Sequence, residues 1–216
     1  MRKLLSLALI GLLLVGCQTT TTNTANETQA TTTQTPPPTI NFERGVLEDN
    51  VYTNDSIGVS IDIPTGFVAL SDEQLLSLLT TNADNKGMDN FQEFIESQVV
   101  TYDFAMIDGS GTGSVFVGIE NLVLENAQGL VHNENEYLAF VKANLEKDPN
   151  ANYIFNDIYE YEGTDGEWYI LECLDIDNLV GVNILAKYYG DYVVSIIYNY
   201  ADGVDTSIVL SSLILK

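Results

Sequence analysis

The 216-residue sequence predicts an α+β fold: an antiparallel β-sheet flanked by helices, preceded by a signal peptide and a disordered threonine-rich tether. Three observations predict it. Strand-length segments of alternating or aromatic-rich texture recur between residues 50 and 200. Short turn sequences such as "DGSGTG" at 108–113 and Gly190-Asp191 join neighbouring segments, which suits antiparallel pairing. Two helices with one apolar stripe and recognisable caps interrupt the strands.

In chain order, the signal comes first. Arg2 and Lys3 precede the apolar run "LLSLALIGLLLV" at 4–15, and Gly16 closes it, the pattern of an export signal over residues 1–16. Twelve helical residues reach about 18 Å against a hydrocarbon layer of ~30 Å, too short for a permanent span. Leu14-Val15-Gly16-Cys17 resembles the bacterial lipobox at every position. That resemblance implies a diacylglyceryl group on the Cys17 thiol and cleavage just before it, with acylation of the new amino group left open. Two acyl chains would hold the protein with a nominal figure on the order of 20 kcal/mol, at about 0.8 kcal/mol per CH₂. The expected location is extracytoplasmic, on the outer leaflet of a bacterial cell membrane, or on the outer membrane where the host has one. An ordinary secretory signal with an incidental cysteine is the alternative.

Residues 17–41 form the lipidated cysteine and its tether. Eleven of the twenty-four residues from Gln18 to Asn41 are threonine and almost none is apolar, so ordering this stretch has nothing to offset it. As a coil it spans about 27 Å on average, and Pro36-Pro37-Pro38 stiffens its end. O-glycosylation of the tether is left open by composition.

Residues 42–216 suit a single domain. "IGVSIDIP" at 57–64 alternates, with Ile57, Val59, Ile61 and Ile63 on one face. Ser71 and Gln74 make a capping box for a helix carrying Leu75, Leu78 and Leu79. Phe91, Phe94 and Ile95 predict a second short helix. Two strands follow in "VVTYDFAMI" and "SVFVGIENLVL". The next helix starts near Asn133, with Glu136 in the capping pattern, and buries Tyr137, Leu138, Val141 and Leu145 until Asp148-Pro149 ends it. Strands are expected at 152–161, 167–176, 181–189 and 192–200, with Thr164-Asp165-Gly166 as one of their turns. A last helix from about Asp205 turns Ile208, Val209, Ser212 and Leu213 toward the sheet. The total is seven strands, with an eighth available in "GVLEDNVYTN".

The stretches "YTNDSIGVSIDIPTGF", "EYLAFVKANL" and "AKYYGDYVVSIIYNYADGVDTSIVLSSLILK", in this order of elements, resemble the PsbP-like α+β sandwich across most of residues 50–216. The resemblance implies that fold and a role as a binding or assembly module. It transfers no functional residue, because no position matches a motif.

Charge narrows the function classes. Cleavage would remove two of the eight basic residues and none of the 31 acids, leaving a net charge near −25. Nucleic acid is thereby disfavoured, since binding there rests on neutralising phosphates. A domain lying on an anionic membrane is disfavoured equally. With Cys17 acylated, Cys173 is the one cysteine left, in the apolar run "EWYILECLDI", and a buried thiol is expected there. "DGSGTG" fails the phosphate-loop spacing, with Ser114 or Phe116 where the third glycine should fall. His132 is the chain's one histidine, so a cluster of histidine metal ligands is excluded. Asp175 and Asp177 lack the ligand count of a calcium loop.

No cofactor and no catalytic group is therefore expected, and the chain is not expected to be an enzyme. Tyrosines crowd the last strands, and Tyr192, Tyr198 and Tyr200 share one strand parity. With Tyr188 they are the candidate contact face for an envelope protein or another surface ligand. The alternative is that they pack as core with only their hydroxyls reaching water. The expected function is a non-catalytic, membrane-anchored binding or assembly module. An envelope enzyme with a dispersed site and a solute-capture subunit of a transporter are the other readings.

Overall fold

Twelve strands and three helices are assigned among the residues that the computed structural model describes, namely 41–79, 95–125, 127, 129–162 and 167–216, without the side chains of 76–79. A further helical stretch at 95–97 carries the buried Ile95 of the expected second short helix. The signal peptide, Cys17, the tether to residue 40, Phe91, Phe94 and the turn at 164–166 lie outside the described residues.

β1 (Val46–Glu48) and β2 (Val51–Asn54) form a hairpin whose two-residue turn, Asp49-Asn50, holds both residues at positive φ. Asp and Asn are the non-glycine residues that tolerate this conformation best, so "LEDNVY" reads as a turn between two short strands. β3 (Val59–Asp62) keeps the expected alternation: Ile57, Val59 and Ile61 are buried, Asp62 is exposed. β4 (Phe67–Ala69) leads into α1 (Asp72–Leu79). Its capping box is formed, since Ser71 N–H donates to Gln74 Oε1 at 2.8 Å and Gln74 N–H donates to Ser71 Oγ at 3.4 Å.

β5 (Val100–Asp108) and β6 (Gly113–Asn121) are the long hairpin expected across "DGSGTG". Asp108 organises its turn, accepting from Thr112 N–H, Thr112 Oγ1 and Ser110 Oγ at 2.7, 2.7 and 2.8 Å. α2 (Glu134–Leu145) buries Tyr137, Leu138, Val141 and Leu145, the expected stripe. Asn133 Oδ1 caps it by accepting from Glu136 N–H at 2.9 Å, while the Glu136 carboxylate accepts from His132 N–H, one residue earlier than a capping box requires. β7 (Tyr153–Phe155), β8 (Tyr159–Glu160), β9 (Tyr169–Asp175), β10 (Val180–Tyr189) and β11 (Tyr192–Ala201) follow, then a single-turn α3 (Ser207–Leu210) and β12 (Leu213–Leu215).

All strand pairs are antiparallel and fall into two sheets. The smaller runs β1-β2-β3-β12; the larger runs β4-β5-β6-β11-β10-β9-β7, with β8 also paired to β9. The core between them contains Trp168, Tyr52, Ile57, Ile61, Met106 and Ile196, and each such side chain contributes about 1.5–3 kcal/mol on burial. Tyr52 stacks on Phe104 with centroids 4.3 Å apart. On the opposite face α2 covers Leu171, Val182 and Ile184, and α1 places Leu75 beside Tyr102, Ala105 and Phe116.

Three expectations are corrected. Helices cover one face of the larger sheet, and a second sheet, absent from the sequence reading, covers the other. The expected strand at 152–161 is two short strands, because Asn156 bonds to Glu172 and Asn156-Asp157 leave the ladder; both are poor strand formers. The C-terminal helix stops after one turn, and the chain ends as a strand. Val209 and Ser212 are buried, but Ile208 is exposed and Leu213 lies in β12. Ser212 Oγ donates to Val209 O at 2.6 Å, and the Ser212 carbonyl accepts from Asp62 N–H, which delivers "LIL" onto β3. Gly58, at φ 68, allows this approach: a Cβ there would stand 2.7 Å from the Lys216 carbonyl oxygen.

Candidate functional site

The four candidate tyrosines do not form one face. Tyr188 packs among the residues under α2, and its N–H donates to Glu134. Tyr192 lies at the β10–β11 turn, edge-on to Phe42 at 5.1 Å. Tyr198 is 2 % exposed and buried in the inter-sheet core, so it presents no contact surface. Its position opposite Asn183 and Val115 in the sheet centre explains that burial. Tyr188, Tyr192 and Tyr200 are each half-exposed, and Tyr200 shares its face with Tyr192 and packs at the edge of the inter-sheet core.

Other candidates take structural places. Cys173 is buried, and burial pushes its thiol up to about 12, with Asp175 adding to the effect; the thiol is held protonated at neutral pH. His132 is exposed at the start of α2. Asp175 is buried and accepts from the backbone N–H groups of Asn152, Asp177 and Asn178 and from Asn178 Nδ2. Burial raises its carboxyl, but these bonds outweigh it and the net direction is downward. Asp177 contributes its N–H to that turn and is exposed, so the two aspartates do not converge. Among the described residues no three His, Cys, Asp or Glu side chains are grouped to hold a metal ion, and no helix is long and apolar enough to cross a membrane.

Two buried polar assemblies were not visible in the sequence. In the first, a β-bulge between Tyr102 and Phe104 shifts the β5 register and sets Asp103 against the smaller sheet. Asp103 accepts from Tyr52 OH, from Asn54 Nδ2 at 2.7 Å and from Gly45 N–H at 2.9 Å. Arg44 Nε is 3.6 Å away, and the same guanidinium forks onto Asp72 at 2.8 and 2.9 Å. Those hydrogen bonds lead in holding Asp72 below its ordinary range. In the second, Tyr137 OH donates to Glu120 Oε2 at 2.5 Å, while Glu120 Oε1 and Glu125 Oε2 are buried without a donor and the two carboxyls act on each other. Burial is the chief cause that raises both carboxyls, Glu125 to about 10. Two neighbouring buried carboxyls with no donor of their own are relieved by keeping a proton on one of them, which makes this a proton-sharing pair joining β6, the turn after it and α2.

The third assembly faces solvent. Along one row of the larger sheet, Ile154, Leu174, Gly181 and Tyr200 stand side by side on β7, β9, β10 and β11. In the adjacent row stand Glu172 and Asn183, with Tyr159 of β8 opposite Ile170. Asn156 Nδ2 donates to Glu172 Oε2 at 2.9 Å, and the Tyr159 hydroxyl lies close enough to feel the same carboxylate. The Tyr200 ring lies across Gly181, where a Cβ would stand 2.2 Å from it, and its hydroxyl donates to Asn183 Oδ1 at 3.1 Å. Ile154 is 57 % exposed and Tyr159 44 %, so the smaller sheet leaves this end of the face open. The arrangement offers aromatic and aliphatic contact area around a carboxylate and amides, which suits binding by contact. Sequence reasoning found Tyr200 and missed Tyr159, Glu172, Leu174 and Ile154. The available signal was Glu172, a charge in the middle of the apolar strand "YILECLD".

No family model matches the chain, and no curated protein matches it. Among solved structures, it is similar to the solution structure of cyanobacterial PsbP (CyanoP) from Synechocystis sp. PCC 6803. That similarity has 13% sequence identity and a TM-score of 0.44, and it covers 77% of this chain and 91% of that one.

Proposed function

We propose that this protein is an extracytoplasmic lipoprotein, anchored through Cys17 to the outer leaflet of the membrane, whose PsbP-like domain binds a partner without catalysing a reaction. The observation that supports the binding role most is the open sheet face bearing Ile154, Tyr159, Leu174 and Tyr200. Exposed aromatic area set in an ordered sheet costs little entropy to present, so it favours contact. The lipobox and tether support the anchoring half: they hold the domain near the bilayer while leaving it free to turn.

One experiment addresses both halves. Cells expressing the protein with a photo-crosslinking phenylalanine analogue at Ile154 are compared with cells carrying it at Glu146, on the end of α2. Alkyne fatty-acid labelling is run on the wild type and on Cys17→Ser. The expected result is a discrete crosslinked species from position 154 only, and label lost in Cys17→Ser. Equal label in both proteins removes the anchor. Identical crosslinks from 154 and 146 remove the face.

A further inference from the structure

The open face has a charge character that narrows its partner. Glu162 and Glu172 act on Tyr159, and Glu172 and Asp202 on Tyr200. All of these fixed charges are carboxylates. Four of the five described lysines and arginines are engaged elsewhere, and the fifth, Lys216, follows β12 of the smaller sheet. Arg44 bridges Asp72 and Asp103. Lys187 pairs with Glu167 and donates to the Lys216 carbonyl. Lys142 stands over the Phe155 ring at 5.1 Å, on the face of the sheet that α2 covers. Lys147 donates to Asn144.

We infer that the open face takes a basic segment of a protein partner, seating a lysine or arginine beside Glu172 and against the rings of Tyr159 and Tyr200. The inference rests on the binding reading above and specifies its partner. Glu172 is half-buried and already oriented by Asn156, so it does not have to be ordered when a cation arrives. Tyrosine faces attract ammonium and guanidinium groups, and do so more strongly once water is excluded. Ile154 and Leu174 supply the apolar flank that excludes it. The Lys142–Phe155 contact shows the same chemistry made within the chain on the other side of β7. With a net charge of −23 over the whole sequence, the domain also steers cations toward itself at long range.

The test separates the site from that general field. The full chain in detergent is titrated against a fluorescent peptide of alternating arginine and glycine, then against its aspartate counterpart and a neutral oligosaccharide. The proteins are wild type, Glu172→Gln, Tyr159→Ala and Glu146→Gln, the last removing an exposed charge far from the face. Tyr159 and Glu172 are not core residues, so their variants should keep the wild-type melting curve, which is recorded for each. The expected result is roughly tenfold weaker binding of the arginine peptide by Glu172→Gln and by Tyr159→Ala, with Glu146→Gln within about twofold of wild type. Equal losses in Glu172→Gln and Glu146→Gln overturn the inference in favour of a diffuse field. Binding of the oligosaccharide in place of the peptide also overturns it. A crosslink from position 154 that survives without arginine-peptide binding leaves the contact face standing and refutes only its basic partner.

Discussion

Asp103 and Glu120 are buried carboxyl groups on adjacent strands, β5 and β6, and their surroundings differ in kind. Asp103 sits among donors: Tyr52 OH, Asn54 Nδ2, Gly45 N–H and the Arg44 guanidinium. Glu120 receives the Tyr137 hydroxyl and then meets a second acid, Glu125. A buried carboxyl must obtain hydrogen from somewhere, either from fixed donors or by keeping a proton of its own. The first solution ties the smaller sheet to the larger one. The second ties α2 and the turn after β6 to the larger sheet's other face, and its strength depends on pH.

The largest expected effect breaks the donor-rich side. Asp103→Ala takes the acceptor from the Tyr52 hydroxyl and the Gly45 N–H, and one of two acceptors from the Asn54 amide, which keeps the Glu43 carbonyl. It should cost about 3–5 kcal/mol, the range for uncoupling a buried charged network. Tyr52→Phe should cost less, since the ring keeps its stack on Phe104 and Asp103 retains its other donors. Urea unfolding of both variants checks the order. A cost below about 1 kcal/mol for Asp103→Ala would mean that the bulge does not hold the sheets together.

The proton-sharing side is tested by pH. Glu120 and Glu125 both have folded values raised above those of an unfolded chain. The folded pair therefore keeps a proton that the unfolded chain releases, and stability is greatest below the ordinary carboxylate range. It declines as pH rises above that range, by at most about 1.4 kcal/mol per pH unit, and less where water reaches Glu125. Glu125→Gln supplies a permanent donor. It should leave stability near pH 4.5 almost unchanged, raise it by about 1–2 kcal/mol at pH 8, and flatten the slope between them. Urea midpoints measured across that range decide it, and parallel curves for the two proteins would rule out a shared proton.

The same contrast explains what the sequence could disclose. Local chemistry was legible. Ser71 with Gln74, Asn133 with Glu136, and the alternation of Ile57, Val59 and Ile61 each act within a few residues. Asp103 was not, because its partners come from residues 44–54 and its orientation from a bulge that no spacing marks. Glu120 reads as an ordinary polar position in a strand until α2 folds over it. The open face was half legible for a related reason. Strand parity placed Tyr198 and Tyr200 together, but their exposure is set by where the smaller sheet stops. That sheet is completed by β12, which helical spacing at 205–213 concealed. Long-range pairing decides each of these cases, and it leaves only weak traces in local pattern.

The smallest effect sharpens the comparison most, because it asks which assembly each helix supports. α1 begins at Ser71, next to the Asp72 that holds Arg44, and so adjoins the Asp103 side. α2 begins at Asn133 and carries Tyr137 in its first turns, directly onto Glu120. Removing either cap should cost about 1 kcal/mol, so Ser71→Ala and Asn133→Ala will look alike singly. Combined with Glu125→Gln they should diverge. Loosening the start of α2 shifts the Tyr137 hydroxyl that helps satisfy Glu120, so Asn133→Ala and Glu125→Gln should couple by about 0.5 kcal/mol or more. Ser71→Ala touches neither carboxyl and should add to Glu125→Gln within about 0.3–0.5 kcal/mol. Double-mutant cycles from urea unfolding at pH 7 measure both couplings. If the two caps couple equally to Glu125→Gln, the carboxyl assemblies respond to general loosening, and their separation into a donor-fed side and a proton-fed side does not hold.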